Sequence, residues 1–264
     1  MNGTVSAPPG LLVSVRSAAE AEDAVLGGAD IVDVKEPSAG SLGAASAEVC
    51  CQIAQAVTGR VPWTMACGEL ADGAARIAEH LAATWEQLVA AADPPAFPLA
   101  VKVGLAACAG RPWVAELKEL ARALPTGVRQ VAVIYADSAA CGAPTAAEIL
   151  RATADLRPLA VLVDTFDKQA AGLLGHCHVS QLQAWRDAAA AADAAFVLAG
   201  KLQFADFHRL SPVRADIIAV RSAVCSQNRM GRVELERVRR GREALRRFPA
   251  GELALDHDFT EKRS

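Results

Sequence analysis

Residues 11–36 read LLVSVRSAAEAEDAVLGGADIVDVKE. The segments LLVSVR (11–16) and ADIVDVKE (29–36) are apolar and β-branched, as strands covered on both faces are. Between them, 17–27 carries apolar residues at helical spacing. A strand, a helix and a second strand in succession make a right-handed crossover between parallel strands. The alternation continues along the chain. Further strands are expected at 61–67, 98–106, 128–136, 159–165, 196–201 and 217–222, and further helices at 44–58, 71–93, 112–124, 145–156, 178–193 and 231–247. Pro62 sits at the start of the third strand, and 166–178 reads as a short or broken helix.

Eight such units, without GxGxxG or GxxxxGK[ST] in any turn, favour a closed barrel over a doubly wound open sheet. The expected fold class is therefore α/β, a single (β/α)8 TIM barrel. A chain of 264 residues with 52% hydrophobic content can bury one core of that size. The barrel is expected over 11–248 as the catalytic domain. The ends, 1–10 and 249–264, carry Pro, Gly and mixed charge with little periodicity and read as tails.

Composition narrows the partners. The net charge is −3, so no overall basic field exists to gather nucleic acid or an anionic membrane surface. The longest apolar runs, such as 159–163 and 194–199, fall far short of the roughly 20 residues of a spanning helix. The basic stretch RVELERVRRGREALRR (232–247) has an apolar stripe of Val233, Leu235, Val238 and Leu245, as a solvated last barrel helix does. MNGTVSAPPG lacks the features of a secretion signal, and seven scattered cysteines suit a reducing cytoplasm. No CxxC occurs, and no metal or cofactor is expected. The partner is expected to be a small molecule, and the protein a homo-oligomer.

Six lysines stand against 21 arginines. Lys35, Lys102, Lys168 and Lys201 lie at or just beyond the C-terminal ends of strands 2, 4, 6 and 7, the catalytic face of a barrel. Arginine neither loses its proton near neutral pH nor makes an imine, whereas a desolvated lysine can attack a carbonyl. Selective use of lysine there points to amine chemistry. Alternation places Ile31, Asp33 and Lys35 on one face of strand 2. A buried acid is costly unless paired, so Asp33 and Asp164 should each meet a lysine. Strands 7 and 8 end in Gly200-Lys201 and Arg221-Ser222, and the loops after these strands commonly hold a phosphate. Gly200, Lys201, Arg221 and Ser222 are the expected phosphate site.

The segments ADIVDVKEPSAGSLGA (29–44), AVKVGL (100–105), VDTFDK (163–168), LAGKL (198–202) and IIAVRSAVC (217–225) resemble the (5-formylfuran-3-yl)methyl phosphate synthase family over roughly 10–235. DVKEPSAGSLGA is the most specific of them. The resemblance implies a TIM-barrel lyase that joins two glyceraldehyde 3-phosphate molecules into a furan aldehyde phosphate, releasing phosphate and water, on the way to methanofuran. It implies that Lys35 forms the Schiff base and that Lys102 transfers protons. Asp33, Asp164 and Lys168 complete the polar set around the reacting carbons. Residues 138–144 and 226–231 are spaced differently from the family pattern, and Ser222 stands where glycine is usual. Fold and lysine chemistry do not fix a substrate. Another class I aldolase acting on triose phosphates stays open, as does a non-catalytic barrel that binds a phosphorylated metabolite.

Overall fold

A computed structural model describes residues 8–247. Eight strands, β1 (Gly10–Val15), β2 (Ile31–Val34), β3 (Trp63–Glu69), β4 (Ala100–Gly104), β5 (Arg129–Tyr135), β6 (Ala160–Asp164), β7 (Ala195–Leu198) and β8 (Ile217–Val220), run parallel in chain order. β8 pairs with β1 and closes the sheet. The protein is a single (β/α)8 barrel, and each strand lies within three residues of its expected bounds.

The boundary differences have local causes. β7 stops at Leu198 because Gly200 and Lys201 adopt φ of 91° and 58°, which takes the chain off the ladder. β3 starts after Pro62, which has no N–H to give but whose carbonyl accepts from Val32 N at 3.1 Å.

The helices are α1 (Ala18–Leu26), α2 (Ala47–Val57), α3 (Ala74–Ala91), α4 (Trp113–Arg122), α5 (Ser138–Cys141), α6 (Ala146–Leu156), α7 (Leu173–His176), α8 (Val179–Ala191), α9 (Phe204–Leu210) and α10 (Leu235–Leu245). Side chains of Ser17, Ser46 and Thr145 accept from the first-turn N–H groups of α1, α2 and α6 and mark where each begins. The stretch 166–178 contains the single turn α7. The sequence reading missed α9, because FADFHRL is too short to display a period.

The period of two along each strand sorts side chains into two apolar regions. Val13, Val32, Val101 and Val161 face outward and pack under the helices. Leu12, Ile31, Val133, Leu162, Val197 and Ile217 fill the barrel. Ala66, Ala100, Ala160, Ala195 and Ala219 are also interior, and their small side chains leave room for a cavity. Among the described residues, no helix is long and apolar enough to cross a membrane. All seven cysteines are free thiols. Apart from 8–10, the expected tails at 1–10 and 249–264 lie outside the described residues.

Candidate active site

A cavity opens at the C-terminal ends of the strands. It is bordered by all nine residues singled out above: Asp33, Lys35, Lys102, Asp164, Lys168, Gly200, Lys201, Arg221 and Ser222. Its depth is apolar and its mouth polar, which suits a small molecule held by a few convergent groups.

Asp33 lies inside the barrel on β2 and is buried. Its Oδ1 is ion-paired with Lys102 Nζ and accepts from Thr64 Oγ1 at 2.8 Å, while Oδ2 accepts from Ser14 Oγ at 3.1 Å. Thr64 in turn accepts from Lys102 Nζ at 2.9 Å. Every polar atom of this four-residue group is thus engaged, which is what makes a buried charge pair tolerable.

Asp164, at the end of β6, receives Lys168 Nζ at 2.7 Å and the N–H of Thr165 at 2.8 Å on the same oxygen. Burial alone would raise this carboxyl, but the Lys168 and Lys35 ammonium groups outweigh it and hold the carboxyl below its ordinary value. Lys168 also donates to the carbonyl of Thr165, which accepts from Ser41 Oγ at 2.9 Å as well. The GSLG segment therefore props the loop that carries Lys168. That segment folds back on itself through Glu36 N donating to the Gly43 carbonyl at 2.9 Å. A Cβ at position 43 would strike the Glu36 carbonyl, which is why glycine stands there.

Lys35 differs from both paired lysines. It is 9% exposed, and among the described residues it has no ion pair. Burial pushes its amine down to about 8, Lys168 and Lys102 push the same way, and the already paired Asp164 and Asp33 offset only part of this. The folded-state value lies below the unfolded one of 10.5, so the charged amine costs the fold stability below about pH 8 and ceases to as pH rises toward 10.5. Lys35→Met is expected to stabilise the protein at pH 7 by roughly 2–3 kcal/mol. Urea denaturation at pH 7 and at pH 10 should show that gain shrinking with pH, and a pH-independent difference would contradict it.

The loops after β7 and β8 form the rim. The N–H groups of Gly200, Lys201, Ser222 and Ala223 donate to no acceptor among the described residues. Gly200 has φ of 91°, and a Cβ there would lie 3.2 Å from side-chain atoms of both Leu173 and Thr165. Lys201 turns outward and donates to the carbonyl of Ala170.

Arg221 corrects the sequence reading of a phosphate-binding side chain. It borders the cavity, yet its guanidinium is buried and points back into the protein. It forms a two-pronged ion pair with Glu20 and donates to the carbonyls of Ser14, Arg229 and Gly231. All five N–H donors are spent internally. The partner Glu20 is 201 positions away, a separation that no local pattern reveals.

Three more groups escaped the sequence reading. Ser14 and Thr64 hold Asp33; both occupy inward alternating positions, so period-two reasoning could have found them. Arg229 borders the cavity from the loop after β8. Behind Asp164, the only tyrosine, Tyr135, donates to Glu69 Oε1 at 2.5 Å, and Ala106 N donates to Oε2 at 3.0 Å. Burial raises the Glu69 carboxyl despite these bonds.

Comparison with known proteins converges on one family. The family described as 4-HFC-P synthase matches residues 11–242. A (5-formylfuran-3-yl)methyl phosphate synthase of Archaeoglobus fulgidus is 29% identical over 249 residues, covering 89% of this chain and 98% of that protein. The synthase of the same name from Methanosarcina mazei is 32% identical over 234 residues, covering 86% and 95%. Among solved structures, phosphoribosyl anthranilate isomerase from Thermotoga maritima superimposes with a TM-score of 0.60 at 15% identity, covering 90% of this chain and 98% of that one. That likeness concerns the barrel alone. The sequence matches run through β1 to α10 and so span every strand that supplies a side chain to the cavity: the chain belongs to the 4-HFC-P synthase family.

Proposed function

We propose that this enzyme condenses two molecules of glyceraldehyde 3-phosphate into (5-formylfuran-3-yl)methyl phosphate, with Lys35 as the Schiff-base nucleophile. The observation that carries the reading is a buried lysine with no ion pair among the described residues, lining the same cavity as two lysine–aspartate pairs at the C-terminal mouth of the barrel.

The neutral Lys35 amine adds to the substrate aldehyde, and loss of water leaves an iminium. The iminium withdraws electrons from the adjacent carbon, C2, and acidifies its proton. Removal of that proton gives an enamine, whose electron pair expels phosphate from C3. The three-carbon fragment then joins the second triose phosphate. Ring closure and hydrolysis of the imine complete a balance of one phosphate and two waters released per product. Each of these steps moves a proton. The Asp33–Lys102 and Asp164–Lys168 pairs are two donor–acceptor couples lining the same cavity as Lys35, placed to accept a proton at one step and return it at another. The Gly200, Lys201 and Ser222 main chain, with its unpaired N–H groups, cradles a substrate phosphate. This barrel, over 11–248, is the catalytic domain.

Incubation with glyceraldehyde 3-phosphate followed by mass analysis tests the reaction. A product of six carbons with one phosphate, together with one equivalent of inorganic phosphate, is expected. A simple aldol adduct that retains both phosphates would instead identify a class I aldolase.

The pH dependence follows from Lys35. Because imine formation needs the free amine, kcat/KM for the first aldehyde should rise about tenfold per pH unit below 8 and level off above it. A profile flat from pH 6 to pH 9 would contradict that role.

A further inference from the structure

The reactive centre holds more positive groups than its two aspartates neutralise. Lys102 and Lys168 are each paired, Lys35 must be neutral to react, Lys201 turns outward to the Ala170 carbonyl, and one more cation without an ion pair among the described residues borders the same cavity. This is Arg229, half-buried in the loop after β8. It has no ion pair among the described residues, and its one hydrogen bond runs from Nη2 to the carbonyl of Gly40 at 2.8 Å. The remaining guanidinium donors are uncommitted there. Burial pulls Arg229 below its ordinary value, and it borders the cavity together with Asp164 and Lys168.

The loop that carries it is built to aim it. Cys225 bridges antiparallel to Val233, Ser226 N donates to the Arg232 carbonyl at 2.9 Å, and Gly231 N donates to the Asn228 carbonyl at 2.9 Å. From below, Arg221 grips the carbonyls of Arg229 and Gly231, each at 2.9 Å. Two arginines therefore divide one task. Arg221, neutralised by Glu20, fixes the backbone; Arg229 carries an uncompensated charge to the mouth, across to the GSLG segment.

We infer that Arg229 is the phosphate-recognising cation of the site: its guanidinium binds a phosphate oxyanion of the phosphorylated substrate at the mouth between the β8 and β2 loops. The inference rests on the reading that the substrate is phosphorylated, and it assigns the recognition of that phosphate to a side chain rather than to loop N–H groups alone. A guanidinium suits the role, since it stays charged at any pH where Lys35 is reactive and presents paired donors that match two phosphate oxygens.

Calorimetric titration of the full chain with inorganic phosphate tests this without requiring turnover. Arg229→Gln should weaken phosphate binding roughly 10- to 100-fold. In borohydride trapping at Lys35, its preference for glyceraldehyde 3-phosphate over unphosphorylated glyceraldehyde should collapse by a similar factor. Arg229→Lys, which keeps the charge but loses the fork, should fall between the two and carries the test if the glutamine variant does not fold. The control Arg232→Gln removes an exposed residue paired with Asp23 and should stay within about twofold of wild type. Phosphate affinity and phosphate preference unchanged in a folded Arg229→Gln would overturn the inference. Wild-type protein that binds phosphate through Arg229 but makes no furan product would instead sink the proposed reaction and leave this assignment standing.

Discussion

Replacing Lys35 with arginine is expected to lower turnover of glyceraldehyde 3-phosphate by at least roughly a thousandfold while leaving a folded barrel. The substitution keeps a positive charge and a similar reach, so loss of a plain electrostatic contact would cost far less. What it removes is the ability to present a neutral amine. A guanidinium keeps its proton at every pH where the fold survives, and no iminium forms. Steady-state kinetics beside circular dichroism measure the effect. Activity within about tenfold of wild type would show that Lys35 is a phosphate-holding or structural cation, with the chemistry elsewhere.

The second large effect is one of stability. Arg221→Met should destabilise the protein by roughly 3–5 kcal/mol, because it leaves Glu20 buried without its counter-charge and frees the carbonyls of Ser14, Arg229 and Gly231. Pairing it with Glu20→Gln should recover part of the loss, since the uncompensated charge is then gone. Urea midpoints at unchanged m-value read the difference. If Arg221→Met loses under about 1 kcal/mol but binds phosphate poorly, its guanidinium contacts the ligand, as its position after β8 suggested from sequence.

These two residues mark where sequence reasoning succeeds and where it stops. The place of Lys35 on the cavity wall was legible because three local signals agree: the strand period turns it inward with Asp33, its place is a strand end, and a chain rich in arginine uses lysine there. Which lysine pairs with which acid was not legible. Asp33 lies two residues from Lys35 yet pairs with Lys102, since the register of β2, β3 and β4 brings Thr64 and Lys102 beside it. Arg221 was placed correctly at the rim, but the direction of its side chain depends on Glu20, which only closure of β8 onto β1 brings near. Arg229 lies in the loop after β8, and no periodicity governs a loop. The strands were readable throughout, because burial on both faces imposes a composition that survives without any alignment.

The arrangement explains why the barrel tolerates so many charges near its centre. Each aspartate meets one lysine and at least one further donor, so the cost of burial is met pair by pair. Lys35 is left over by design of the surroundings, and burial rather than repulsion is the main cause of its lowered value. Stability given up at neutral pH is thus concentrated in the one amine that the proposed chemistry would use uncharged.

The most direct test is to add borohydride during turnover of glyceraldehyde 3-phosphate and map the reduced adduct by peptide mass. The account predicts a mass increase on the peptide containing Lys35, absent without substrate and absent from Lys35→Arg. An adduct on Lys102 or Lys168 instead, formed equally well in Lys35→Arg, would contradict it.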